Sequence, residues 1–546
     1  MWSGVAIFQG EDRQAIARFV PSGRAFPPQE LDPSMMSADG VGPEKKIMEE
    51  IHPKESVAGE NRSASGDPGL VRPLFVDLDG TLIQTDLLHE AILTLAFRAP
   101  RELLGIFWGT RHSRAALKQQ LARVVHPDAA TLPYRQEVRT LIEMHRARGG
   151  RTVLATASDA SWGMRVAGQL GIFDDVLASD GVVNCRGGAK LLAIQEYCRR
   201  QGFSEFDYAG DSHADIPVWQ EATGVHLVAP SVGLRHRVRR LTDRVQTYGT
   251  RSGRWTALLK ALRPHQWVKN LLVFVPLVAS PSIQQSGLWQ SALICASCFC
   301  LCASAVYLVN DLADLAADRQ HARKRHRPFA AGTLPVWLGP VLALGLVSAA
   351  GGAAWLCLPP TALSLLAGYF AMTCLYTVLF KRIAMLDVLV LAGLYTLRLF
   401  AGASAVGVEV SEWLAAFAMF FFLSLAFSKR YTELDLASRS RQVALRGRGY
   451  RTGDLSLVEG AGLSSGYIAV LVLALYLNSP QARSLYPNHR VLWLVCVVLI
   501  YWISRVWLKA KRGELADDPI VFAFRDRASL WLGAVVLMLV LAACYP

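Results

Sequence analysis

Asn310-Asp311-Leu312-Ala313-Asp314-Leu315-Ala316-Ala317-Asp318 closes a strongly apolar segment of the chain. Asp314 follows Asp311 by three residues, and Asp318 follows by four more. On a continuous helix those steps put the three carboxylates on one face, within about 60° of one another. Like charges at that spacing repel, and beside hydrocarbon the repulsion costs more. A divalent cation carrying phosphate oxygens relieves it. Arg319, Arg323, Lys324, Arg325 and Arg327 follow at once. An acidic clamp and then a basic one describes a site for a magnesium-bound diphosphate at a membrane face.

The second half of the 546-residue chain is dominated by long apolar stretches. Nine candidate spans lie near 268–285, 288–309, 336–356, 360–380, 385–406, 412–428, 460–477, 491–508 and 529–545. Most approach the roughly 20 residues that cross the hydrocarbon. The cations fall between the spans. Five Lys/Arg lie between spans 2 and 3, two between 4 and 5, seven between 6 and 7, and five between 8 and 9. The net charge of +13 therefore reflects orientation in a lipid bilayer, and no nucleic-acid partner is expected. The asymmetry predicts a multi-pass protein of the inner (plasma) membrane. The soluble region and the aspartates are expected in the cytoplasm and the C-terminus on the opposite side. Cys295 and Cys298 have zinc-like spacing, but no second pair follows, so helix packing is expected there.

Residues 1–70 are polar and rich in Pro and Gly, and a disordered tail without a secretory signal is expected. Residues 71–232 read as an α/β domain. Leu74-Phe75-Val76 and Thr152-Val153-Leu154-Ala155 are short apolar strands, and residues 87–145 are helical in pattern, an insertion over the sheet edge. Residues 233–262 are strongly basic and read as a linker, free in solvent or lying on anionic headgroups.

The aspartate run resembles the first acidic motif of the UbiA prenyltransferase superfamily, which implies an all-α transmembrane domain of nine helices. Three further stretches narrow the likeness. They are Asp318-Arg319-Gln320-His321-Ala322-Arg323-Lys324-Arg325-His326-Arg327-Pro328, Arg263-Pro264-His265-Gln266-Trp267-Val268-Lys269-Asn270, and Leu386-Asp387-Val388 through Leu397-Arg398-Leu399-Phe400-Ala401-Gly402. Together they resemble the decaprenyl-phosphate phosphoribosyltransferase branch, over residues 263–546. Ala322 stands where that branch leads one to expect Pro. The region of the superfamily's second acidic motif reads Lys429-Arg430-Tyr431-Thr432-Glu433, which departs from a pair of aspartates.

The resemblance implies transfer of 5-phosphoribose from phosphoribosyl pyrophosphate to a polyprenyl phosphate. Mg²⁺ is expected on Asp311, Asp314 and Asp318. Lys324, Arg325 and Arg327 are candidates for the diphosphate or sugar phosphate, and Lys269 and Asn270 for the acceptor phosphate. Asn310, Lys381, Arg398, Lys429, Arg430 and Glu433 complete the substrate-binding candidates. Arg398 lies inside an apolar helix, where a charge is costly and usually functional. Pairing with Asp387, three turns away, is its structural alternative.

A second resemblance covers residues 71–232. Asp77-Leu78-Asp79-Gly80-Thr81, Thr156, Lys190 and Gly210-Asp211-Ser212-His213-Ala214-Asp215 are similar to the four ordered motifs of the haloacid dehalogenase (HAD) superfamily. The likeness implies a Rossmannoid phosphatase domain with a small helical cap. Asp77 is expected as nucleophile, Asp79 as acid and base, and Thr156 and Lys190 as phosphate holders. Mg²⁺ is expected on Asp77, the Asp79 carbonyl and Asp211, oriented by Asp215. The joint expectation is a multidomain, bifunctional cell-envelope enzyme. The alternatives are a prenyltransferase acting on an aromatic acceptor, and a membrane scaffold or transporter with a phosphate-binding domain. The oligomeric state is not legible.

Overall fold

The computed structural model describes residues 6–9 and 71–544, apart from 251–252, 279, 281–283, 442, 446–447 and 516–517. The chain forms two compact units. The first comprises Met1–Leu78, Glu137–Leu227 and Val232–Tyr248, and the second Asp79–Gln136, Val228–Ser231 and Gly249–Pro546.

A sheet of seven strands organises the first unit. They are β1 (Ala6–Gln9), β2 (Leu74–Val76), β3 (Thr152–Asp159), β4 (Asp175–Ser179), β5 (Asp207–Gly210), β6 (Gly224–Val228) and β7 (Val245–Tyr248), in the order β1-β4-β3-β2-β5-β6-β7. β2 lies parallel between β3 and β5, as continuous apolar strands buried on both faces require. The chain order reverses at β2, so the ends of β2, β3 and β5 open on a switch point, where α/β sheets bind ligands.

Between β2 and β3 the chain first makes α1 (Leu87–Arg98), α2 (Pro100–Thr110) and α3 (Arg114–Val124), which belong to the second unit. It then makes α4 (Gln136–Ala147), which returns to the sheet, so the insertion stops short of the expected residue 145. Val138, Leu141 and Ile142 bury one face of α4. The crossovers continue with α5 (Ala160–Leu170), α6 (Gly188–Gln201), α7 (Ile216–Glu221) and α8 (Val232–Arg239).

Two expectations change here. Ala6–Gln9 pairs antiparallel with β4, where only a disordered tail is expected; the rest of 1–70 lies outside the described residues. The basic stretch 233–262, expected as a linker, carries regular structure in its described residues. α8 buries Leu234 and Val238, and β7 extends the sheet. Helix α9 (Arg254–Leu262) buries Ala257 and Ala261. Apolar residues four apart set these helices, and the basic residues between them obscure that pattern in the sequence.

Among the described residues the second unit has eight helices long and apolar enough to cross a membrane, against the nine spans expected. Their helical cores are α11 (Ser286–Ala313), α13 (Leu338–Cys357), α14 (Pro360–Val378), α15 (Leu386–Val406), α16 (Glu412–Arg439), α17 (Leu455–Leu477), α19 (Trp493–Lys511) and α21 (Arg527–Cys544). Short helices α10 (Val275–Val278), α12 (Leu315–Gln320), α18 (Pro480–Leu485) and α20 (Pro519–Arg525) lie between them. Cys295, Cys298 and Cys302 are packed in an apolar cluster with Phe299 and Tyr369, as helix packing predicts.

The expected first span, 268–285, is not a long helix. Pro264–Phe274 is a 3-10 helix that passes into α10. Its partners run backwards along α11. Trp267 donates to Ser304, Asn270 to Cys300, and Leu277 packs on Ala292. Eleven residues at about 2.0 Å each reach about 22 Å, and one turn of α-helix adds about 6 Å. The segment therefore covers the depth of a bilayer, about 30 Å, with fewer residues than an α-helix needs. This tight coil admits close neighbours. A Cβ on Gly402 of α15 would lie 2.0 Å from the carbonyl oxygen of Val273.

Gly402→Ala is therefore expected to force the 3-10 segment and α15 apart and to destabilise the membrane half by about 1–3 kcal/mol. Thermal unfolding in detergent, compared with Gly393→Ala, where a Cβ meets open space, checks this.

Candidate functional site

The first unit gathers its polar residues beyond the end of β2. Lys190 of α6 is buried, and its Nζ donates to Asp77 Oδ1 at 2.7 Å and to the Tyr208 hydroxyl at 2.8 Å. Tyr208 donates to Asp215 Oδ1 at 2.7 Å, and the Ser212 hydroxyl donates to Asp215 Oδ2 at 3.0 Å. Gly210 makes this fold-back possible, because a Cβ there would lie 2.8 Å from Asp215 Oδ2. Thr156, at 0% exposure within β3, accepts from the Ser158 N–H at 2.9 Å.

Burial raises the Asp77 carboxyl to about 6 despite the attraction of Lys190, and Asp215 adds repulsion. Burial alone would lower Lys190, but Asp77 and Asp215 outweigh it and raise it above its usual value, so it stays charged. Carboxylate oxygens of Asp77, Asp211 and Asp215 lie within 4.8 Å of one another, the spacing of a shared cation shell. Three converging carboxylates with a single lysine among them fit Mg²⁺. Asp77, Lys190, Asp211 and Asp215 thus come together, and Thr156 lies in the same unit. Asp79 opens the second unit, where its Oδ1 accepts from the Leu87 N–H at 2.9 Å and caps the approach to α1.

The membrane half departs from a continuous helix at its aspartates. α11 ends at Ala313, and Asp314 (φ −95°, ψ 10°) caps both it and α12. Short acidic side chains compete with helical hydrogen bonding at such positions. The break leaves Asp314 exposed, while Asp311 and Asp318 are buried. Arg327 joins those two, with Nη1 at 3.2 Å from Asp311 Oδ1 and 2.6 Å from Asp318 Oδ2. Arg263 also donates to Asp311. Burial raises Asp318, and Arg327 opposes the shift. The three aspartates therefore do not share one helix face, and among the described residues they do not form a three-carboxylate metal cluster. Guanidinium groups stand where the sequence reading places a cation, so Asp311 and Asp318 retain the donor chemistry for Mg²⁺. Lys324 and Arg325 are exposed on a 3-10 turn beside them, and Asn310 is half-buried on the last turn of α11.

A second charged group lies within the helices. Lys269 and Lys429 donate to Asp518 Oδ2 at 2.7 Å and 3.0 Å, and the Tyr395 hydroxyl is 3.3 Å away. Asn270 accepts from Arg398 Nε at 2.8 Å; Arg398 also donates to the Tyr369 hydroxyl at 2.9 Å and lies over the Tyr369 and Tyr395 rings. Arg398 thus lines this polar group and does not pair with Asp387. Asp387 instead binds Arg430, which is fully buried, together with Tyr450 and Arg448. Glu433 joins Arg430 and Arg448. Arg430 and Glu433, expected at the substrate, thus lie together in one ionic network with Asp387 and Arg448. Lys381 is half-buried on the turn Phe380–Arg382.

Sequence reasoning assigned no role to Arg263, Tyr208 or Asp518. Arg263 carries a signal in its surroundings, since it precedes Pro264 and adopts φ +52°, a strained backbone for a non-glycine residue. Asp518 has only its place before Pro519 as a helix cap.

Residues 272–533 match the UbiA prenyltransferase family and residues 74–220 the haloacid dehalogenase-like hydrolases. The chain is 38% identical over 470 residues to the uncharacterized protein y4nM of Sinorhizobium fredii, covering 85% of this chain and 89% of that protein. It is 39% identical over 186 residues to the decaprenyl-phosphate phosphoribosyltransferase of Corynebacterium glutamicum, covering 34% of this chain and 56% of that one. The structure of a UbiA homolog from Archaeoglobus fulgidus bound to DMAPP and Mg²⁺ aligns at 16% identity with a TM-score of 0.41, over 53% of this chain and 98% of that one.

Asp77 is expected to make magnesium binding to the first unit pH-dependent. Below about pH 6 its carboxyl holds a proton that the ion must displace. Apparent affinity is expected to fall about tenfold between pH 7.5 and pH 5, read from Mg²⁺-dependent thermal shifts. Asp77→Asn should abolish that pH dependence.

Proposed function

The chain belongs to the UbiA prenyltransferase family and carries a haloacid dehalogenase-like hydrolase domain, and on that premise we propose that it makes lipid-linked ribose in two steps. The membrane half transfers 5-phosphoribose from phosphoribosyl pyrophosphate to a polyprenyl phosphate. The hydrolase domain then removes the 5-phosphate. Both sites act at the cytoplasmic face of the inner membrane in this reading.

Arg327 between Asp311 and Asp318 carries the reading. Alternating acid and base suits a small donor of high charge density, whereas a prenyl diphosphate offers mostly apolar surface. An oxygen of the lipid phosphate attacks the anomeric carbon, and the bond to pyrophosphate breaks with its electron pair on the leaving group. Asp311 and Asp318, with the exposed Asp314 at the break between them, would hold Mg²⁺, which would neutralise charge on the departing pyrophosphate. Arg263, Arg327, Lys324 and Arg325 bind the remaining phosphate oxygens. Lys269 and Lys429 exchange Asp518 for the acceptor phosphate, and Arg398 fixes Asn270 beside it. The partial identity to the Corynebacterium glutamicum enzyme supports this choice of donor and acceptor.

In the hydrolase domain Asp77 attacks phosphorus and the ribose oxygen leaves with a proton from Asp79. Asp79 then takes a proton from water, which cleaves the aspartyl-phosphate and releases inorganic phosphate. Thr156 and Lys190 hold the phosphate oxygens. Asp77, Asp211 and Asp215, with the Asp79 carbonyl, would hold Mg²⁺, which would offset the charge of the phosphoryl group.

Full-length protein given polyprenyl phosphate, phosphoribosyl pyrophosphate and Mg²⁺ is expected to yield lipid-linked ribose and inorganic phosphate. Asp77→Asn should stop at the lipid-linked 5-phosphoribose, and Asp318→Asn should slow transfer by about 10²-fold or more. Identical products from wild type and Asp77→Asn would end the two-step reading. Turnover only with a prenyl diphosphate and an aromatic acceptor would replace the donor.

A further inference from the structure

Glu90 and Arg319 lie 229 residues apart in sequence and meet in a buried ion pair. Arg319 donates Nη1 to Glu90 Oε2 at 2.9 Å and Nη2 to Oε1 at 2.5 Å. Its Nε donates to the carbonyl of Ala330 at 3.1 Å. The Thr85 hydroxyl donates to Glu90 from the other side. Glu90 belongs to α1, in the insertion of the hydrolase-like region, and Arg319 directly follows Asp318 in α12. Both lie in the second compact unit.

The same insertion touches the loop that carries Arg327. Gly332, at φ +71°, lies so close that a Cβ would be 2.6 Å from Gln84 Cβ and 2.8 Å from its carbonyl oxygen. Leu93 of α1 packs against the cluster containing Leu312, Leu315 and Phe329. Helix, arginine loop and aspartate run are thus clamped by one short stretch, residues 84–93.

A six-residue helix has almost no stability of its own, so outside contacts set its rotation. Adjacent helical residues point about 100° apart. Asp318 turns to Arg327 while Arg319 turns to Glu90. Burying two charges offsets much of their attraction, so stability alone is a weak reason for the pair. The two-pronged geometry fixes direction instead.

We infer that Glu90 is a positioning residue of the membrane site: through Arg319 the inserted helix α1 holds α12 in the orientation that presents Asp318 to the donor's pyrophosphate. The inference rests on the reading of Asp311 and Asp318 as the donor site. It makes the inserted helix a working part of the transferase as well as of the hydrolase region.

The test uses the full chain in lipid nanodiscs, with Mg²⁺-pyrophosphate binding followed by calorimetry and transfer kinetics measured alongside. Glu90→Gln and Arg319→Lys are expected to weaken pyrophosphate binding about tenfold and to raise KM for phosphoribosyl pyrophosphate in step. Arg319→Lys keeps the charge, and so the fold, while losing the fork. Glu102→Gln, at an exposed position on α2, is expected to match wild type. Unchanged binding in both Glu90→Gln and Arg319→Lys, with Asp318→Asn weakened, overturns the positioning role and leaves the donor site standing. Unchanged binding in all three removes the donor site and the inference together. Weakening in Glu90→Gln or Arg319→Lys while Asp318→Asn binds normally also overturns it, because the effect would not run through Asp318.

Discussion

A charge inside a bundle of apolar helices must find its opposite, because lipid and packed side chains solvate it poorly. That constraint accounts for most of the polar architecture of the membrane half. Asp311 and Asp318 share Arg327, Asp518 is shared by Lys269 and Lys429, and Asp387 holds Arg430. Arg398 is satisfied instead by Asn270, the Leu394 carbonyl and the rings of Tyr369 and Tyr395. These groups differ in what they can do. The Asp387 network is centred on a fully buried arginine, with Arg448 and Glu433 partly exposed at its edge. The Asp311 and Asp518 groups keep partly exposed cations, at 27% for Arg327 and 31% for Lys429, so a phosphate can compete for them.

The first unit applies the same constraint in water. Lys190 neutralises Asp77 and Asp215, Tyr208 links them, and the site remains acidic enough for a divalent ion. Its geometry follows from backbone economy at the strand ends. Gly210 leaves room for Asp215 to turn back, and β2 ends at Val76, immediately before Asp77.

Irregular backbone is concentrated where the charges are. The 3-10 segment Pro264–Phe274 carries Lys269 and Asn270, the break at Asp314 separates two buried aspartates, and Arg263 is held at φ +52°. In hydrocarbon such backbone is tolerated where it is packed in protein or lines a polar cavity. A regular helix through 264–278 would rotate Lys269 and Asn270 away from α11 and α15.

The two domain types, the apolar spans and the identity of the acidic and basic motifs were legible in the sequence, because each is written in residues close together. Asp77, Lys190, Asp211 and Asp215 were named by motif, and their side chains lie together. The helix break at Asp314 was not legible, since the spacing of three aspartates fits a continuous helix equally well. Nor were the helices and strand within 233–262, and the burial of Arg430 in an ionic network with Asp387 and Glu433. Lys269 meets Asp518 across 249 residues, and Glu90 meets Arg319 across 229. A sequence states which residues carry charge, but the partner of each depends on which helices pack side by side. The tertiary structure alone decided that, because burial makes the choice of partner compulsory.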